Sequence, residues 1–92
     1  MAQLLLVDDE RALRSVTAER LSERGHSVVE AESGEDALAL LEQHAFDVLV
    51  SDLRLPGIDG ATVIEQALER YPSIVGIVIT GHGTTKTAVD AI

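Results

Sequence analysis

The sequence contains no cysteine. Disulfides, thiolate catalysis and cysteine-based zinc or iron–sulfur sites are therefore excluded, and a reducing, cytoplasmic setting is expected. No basic region precedes an apolar stretch at the N-terminus, so no signal peptide is expected. The apolar runs are far too short to cross a bilayer. Basic residues are scarce: 7 Lys and Arg stand against 16 Asp and Glu, for a formal net charge of −9. Such a surface repels phosphate backbones and anionic lipid, so direct nucleic-acid or membrane binding by this domain is not expected. No G-x-x-x-x-G-K-[ST] loop occurs, which removes nucleotide binding through that motif. Ser15, Ser22 and Ser73 lack the base and oxyanion context of a serine hydrolase. His26, His44 and His82 fall in separate segments without metal-ligand spacing, and His82 reads as a loop residue between Gly81 and Gly83.

What is present is an alternation of short apolar runs with helical patterns. Hydrophobic residues make up 46% of the 92 residues, enough for one small core. Leu4 to Val7 is a solid apolar run, which suits a strand buried on both faces. Leu13, Val16, Thr17 and Leu21 recur at helical spacing between Arg11 and Arg24, and Gly25 is a stop signal. Ser27 to Ala31 reads as a second strand. Ser33 opens a capping pattern with Asp36, and Ala37, Leu38, Leu41 and Ala45 form one face of a second helix. Val48 to Val50 is a third strand, and Leu53 to Gly60 a loop. Val63, Ile64, Ala67, Leu68 and Tyr71 form a third helical stripe that Pro72 stops. Gly76 to Thr80 gives a fourth strand, and a fourth helix begins at Thr84 or Thr85. Strands alternating with helices predict an α/β fold, a doubly wound parallel sheet covered on both faces. In such sheets ligands sit at the carboxyl ends of the strands.

Asp8 and Asp9 directly follow the first strand, and Asp52 follows the third. In a flavodoxin-like strand order those two strands are neighbours, so the three carboxylates meet at one sheet edge. Crowded carboxylates stay ionised only when a cation shares the site. Oxygen ligands alone suit a hard ion such as Mg²⁺. Each acid also has a plainer role open to it. Asp8-Asp9-Glu10 complements a helix dipole, and Asp52 suits a turn ahead of Pro56 and Gly57. Thr80 stands at the same end of the fourth strand and also suits a plain strand terminus. Together these residues make a minimal phosphoryl-transfer site, with a carboxylate nucleophile, cation ligands and a hydroxyl.

The segments LLLVDDE, LVSDLRLPGIDG and IVITGHGT, in this order and spacing, resemble the receiver domains of bacterial two-component response regulators over the whole chain. The resemblance implies a receiver fold with strand order 2-1-3-4 and the fifth strand missing. It implies a phosphorylation-controlled switch rather than an enzyme acting on a separate substrate, loaded by a sensor histidine kinase or a small phosphodonor. Asp52 would be the phosphoacceptor and Thr80 the switch hydroxyl. Asp9 and Asp52 would ligate Mg²⁺ directly, Asp8 mainly through water, and the backbone carbonyl of Arg54 would complete the protein ligands. An output domain or downstream protein is the implied partner. Thr-Gly-His-Gly looks most like receivers attached to transcriptional regulators, including activators with an ATPase domain.

The chain departs from that family by lacking a fifth strand and helix, with their lysine and switch aromatic. The only lysine, Lys86, does not match that position, and neither does Tyr71. Residues 1–92 are accordingly expected to be one receiver domain truncated within its fourth helix. The missing lysine keeps open a pseudo-receiver that acts only as a protein-interaction module. A Mg²⁺-dependent phosphohydrolase built on Asp52 would need a general acid two residues on, where Arg54 stands. With Ile77, Val78 and Ile79 on an edge strand, a homodimer or exchanged segment through the fourth strand and helix is expected.

Overall fold

Residues 1–79 are described by the computed structural model. The expected fourth helix, Thr80, His82 and Lys86 lie outside the described residues. Chain order is β1 (Gln3–Val7), α1 (Arg11–Glu23), β2 (Ser27–Ala31), α2 (Gly34–Gln43), β3 (Val48–Asp52), α3 (Gly60–Arg70) and β4 (Val75–Ile79). The four strands form one sheet in the order β2-β1-β3-β4, and every pairing is parallel. This is the α/β architecture predicted from the alternation, in the strand order that the resemblance implied.

The apolar run in β1 explains its central place. Leu4, Leu5, Leu6 and Val7 are all buried, and successive side chains leave the sheet on opposite faces. Leu5 and Val7 pack with Ala37 and Leu41 of α2 and with Val63 and Ala67 of α3. On the other face, Leu6 joins Ala18 of α1, and Leu4 joins Leu21. Each such fully buried Leu or Val contributes roughly 1.5–3 kcal/mol of hydrophobic stabilisation. The two-sided burial is why the strand carries no polar alternation.

Local signals set the helix ends. The Ser33 side chain accepts a bond from the Asp36 amide at 3.1 Å, as the capping pattern predicted. The Asp59 carboxylate caps α3 by accepting from the Thr62 amide at 2.8 Å. That bond holds the Asp59 carboxyl below its ordinary value. Gly25, at φ +91°, terminates α1 in the left-handed region that glycine adopts without a Cβ clash.

Several expectations need correction. The second helix ends at Gln43, so Ala45 is not on its face. Val16 is 55% exposed, because α1 buries the Thr17, Ala18 and Leu21 side instead. Leu68 is likewise exposed, one helical step round from buried Ala67. Gly60 belongs to α3 rather than to the preceding loop. The third strand runs on through Ser51 and Asp52, whose backbones pair with Val78 and Ile79. Ladder pairing uses main-chain groups, so polar side chains do not end it.

Candidate functional site

Register brings the acids together. Val7 pairs with Ser51 where β1 lies beside β3, so Asp8 and Asp52 follow at the same level of the sheet. One carboxylate oxygen from each of Asp8, Asp9 and Asp52 lies within 4.8 Å of the others. Asp8 is buried, Asp52 half-buried and Asp9 exposed. The amide of Asp8 donates to the Ala31 carbonyl at 3.1 Å, and its Oδ1 accepts from the Glu10 amide at 2.8 Å. Burial pushes the Asp8 carboxyl above its ordinary value. The Glu10 amide opposes that shift, while the negative charges of Asp52, Asp9 and Glu10 add to it. The electrostatic cost is thus visible in the protein alone: three acids are held where the charged form of one is disfavoured.

Asp52 is fixed from below. Its Oδ1 accepts from the Arg54 amide at 3.1 Å, and its carbonyl accepts from the Ser51 hydroxyl at 3.0 Å. The amide of Leu53 donates to the Ile79 carbonyl, and Gly60 donates to Leu53. The start of α3 is pressed against this strand end: a Cβ on Gly60 would stand 2.0 Å from the Asp52 carbonyl oxygen. Only glycine permits that approach.

The donor set suits a hard divalent cation. Among the described residues it consists of carboxylate oxygens, converging closely enough to share one ion, with no sulfur or imidazole. Of the residues singled out from sequence, Asp8, Asp9 and Asp52 are brought together. Arg54 sits at the same strand end, exposed, with its amide on Asp52. Thr80 lies outside the described residues. Two residues were missed. Arg14 donates from Nη1 to the Asp8 carbonyl at 2.7 Å, and Gly60 abuts Asp52. No local pattern marks Arg14, since arginine on a helix normally reads as solvated; Gly60 after Pro56 and Gly57 carries the signal of a turn.

A family model for the response regulator receiver domain matches residues 4–92. The response regulator protein FleR of Pseudomonas aeruginosa is 37% identical over 91 residues, covering 99% of this chain and 19% of that protein. The transcriptional regulatory protein GlrR of Escherichia coli is 39% identical over 90 residues, covering 98% of this chain and 20% of that protein. The chain therefore spans about one-fifth of the length of these curated relatives. Among solved structures, the receiver domain of the hybrid histidine kinase CckA superposes with a TM-score of 0.85 at 36% identity, covering 97% of this chain and 94% of that one.

Proposed function

This chain belongs to the response regulator receiver domain family, and on that premise we propose that it is a phosphorylation-controlled switch whose phosphoacceptor is Asp52. The observation that carries the reading is the convergence of Asp8, Asp9 and Asp52 at the carboxyl ends of β1 and β3. Oδ1 of Asp52 is engaged by the Arg54 amide, which leaves Oδ2 as the nucleophile. That oxygen attacks phosphorus in a phosphohistidine of a sensor kinase, or in a small phosphodonor. The P–N or P–O bond to the donor breaks, and the leaving group takes the electron pair and then a proton from water. The product is an acyl phosphate on Asp52.

Asp8, Asp9 and Asp52, with the Arg54 carbonyl, would hold Mg²⁺. When bound, the ion supplies positive charge that offsets the carboxylates and the phosphoryl oxygens. Thr80 serves as the switch hydroxyl, and the domain turns over no separate substrate. A sensor kinase as donor, an output domain as recipient and a cytoplasmic setting complete the proposal. Among the described residues no helix is long and apolar enough to cross a membrane. Homodimerisation through the fourth strand belongs to the same proposal, since Val75 and Val78 of β4 are exposed.

Intact-mass analysis after incubation with a small phosphodonor and Mg²⁺ tests the assignment. Wild type should gain one phosphoryl group that hydroxylamine removes, and Asp52→Asn should gain none. Equal uptake by Asp52→Asn would exclude Asp52. If beryllofluoride with Mg²⁺ leaves the amide resonances of Asp52 and Arg54 unmoved, the chain is a partner-binding module without phosphoryl chemistry.

A further inference from the structure

Arg14 stands where α1, β2 and the acidic turn meet, and its side chain is only 12% exposed. Its guanidinium has two acceptors on two different elements. Nη1 donates to the Asp8 backbone carbonyl at 2.7 Å, and Nε donates to Oε1 of Glu30 on β2 at 3.1 Å. On the other side of the same residue, the Asp8 amide donates to the Ala31 carbonyl. Both peptide groups flanking the Asp8 Cα are therefore held from outside the turn. One is held by β2 directly, the other by Arg14, which is itself tied to β2. Fixing those two peptides fixes the direction of the Asp8 side chain. It also fixes the peptide from which Asp9 departs.

We propose that Arg14 is a positioning residue for the metal-holding carboxylates, clamping the Asp8–Asp9 turn against the mutual repulsion of Asp8, Asp9 and Asp52. The proposal rests on the Mg²⁺ reading of the acidic site. A planar fork is required because its two donors point to acceptors on separate elements; an ammonium group offers no such rigid pair.

Charge and positioning make opposite predictions here, which renders the idea testable. If Arg14 mattered only as a nearby positive charge, removing it would make the site more negative and Mg²⁺ would bind more tightly. If it positions the turn, removing it weakens Mg²⁺ binding. The experiment is a Mg²⁺ titration of the full chain followed by amide shifts of Asp8, Asp9 and Asp52, for wild type, Arg14→Gln, Arg14→Lys and Glu30→Gln. Arg14→Gln should weaken Mg²⁺ about tenfold, the scale expected when a partner of a metal ligand is lost. Arg14→Lys keeps the charge without the fork, so it should weaken Mg²⁺ at least as much as Arg14→Gln. Glu30→Gln keeps an oxygen acceptor and should stay near wild type. A metal-free readout accompanies these: hydrogen exchange at the Glu10 amide, which donates to Asp8 Oδ1, should quicken in Arg14→Gln. Unchanged or tighter Mg²⁺ binding in Arg14→Gln would overturn the proposal. Should Arg14→Gln fail to fold, wild-type affinity in Arg14→Lys would overturn it equally. A wild-type chain whose Asp8, Asp9 and Asp52 amides ignore Mg²⁺ would instead overturn the reading of the site itself.

Discussion

Both ends of the sheet carry aspartates, and they are used in opposite ways. At the amino end, Asp47 bonds to neutral backbone groups. Its amide donates to the Gln3 carbonyl at 2.8 Å, its Oδ2 accepts from the Gln3 amide at 2.8 Å, and its carbonyl accepts from the Val75 amide at 3.0 Å. One acid thereby stitches the starts of β1, β3 and β4 together. At the carboxyl end, Asp8, Asp9 and Asp52 face one another instead, and burial with like charge raises the Asp8 carboxyl. The residue type is the same at both ends. Acids at both ends accept backbone amides; what separates a structural acid from a candidate ligand is whether other negative charges also crowd its carboxylate. An arrangement that is electrostatically unfavourable in the protein alone points to something outside it.

The comparison breaks most severely if the carboxyl end is pried open. Gly60→Ala would set a Cβ against the Asp52 carbonyl, so α3 or the end of β3 must move. A loss of about 3 kcal/mol is expected, together with slowed phosphoryl uptake. Urea unfolding and intact-mass kinetics read both, and a loss below about 0.5 kcal/mol would show that the helix start yields freely.

A smaller effect belongs to the amino end. Asp47→Ala deletes the carboxylate that holds the Gln3 amide in an exposed bond, at an expected cost of about 1–1.5 kcal/mol. Mg²⁺-induced shifts and phosphoryl uptake should be untouched. Weaker Mg²⁺ binding in this variant would mean that the two ends are not independent.

The smallest expected effect has the opposite sign. Folding raises the Asp8 carboxyl, so the folded state holds that proton more tightly than the unfolded chain. Its contribution to stability is present below the unfolded carboxylate value and is lost as pH rises through the raised, folded one. Asp8→Asn stays neutral and keeps an oxygen for the Glu10 amide. Without metal it should be more stable than wild type at neutral pH, on the order of 1 kcal/mol, and the gap should close on acidification. Asp59 runs the other way. Its carboxyl is lowered by Thr62, so its stabilisation is lost as pH falls. The difference between wild type and Asp8→Asn cancels that shared contribution. Urea midpoints across the acid range measure it, and a variant less stable than wild type at neutral pH would contradict the repulsion argument.

Much of this was readable along the chain. The Leu4–Val7 run identified a doubly buried strand, and the alternation of elements implied a parallel sheet. The position of Asp8, Asp9 and Asp52 just past two apolar runs implied a shared edge only with a flavodoxin-like strand order that sets those strands side by side. Those readings work because each concerns how a short stretch trades water for burial, which local periodicity reports directly. Other features were not readable. Nothing local distinguishes Asp8, which is buried, from Asp9, which is exposed. Nor does it show that Val16 faces solvent, that Gly60 touches the acceptor's backbone, or that Arg14 reaches both Glu30 and the Asp8 carbonyl. Each of these depends on the separation and rotation of whole elements, as when α1 settles on β1 and β2 or α3 closes on β3. Packing of many side chains at once sets those quantities to within an ångström, whereas the pattern in any one segment specifies only which side of it avoids water.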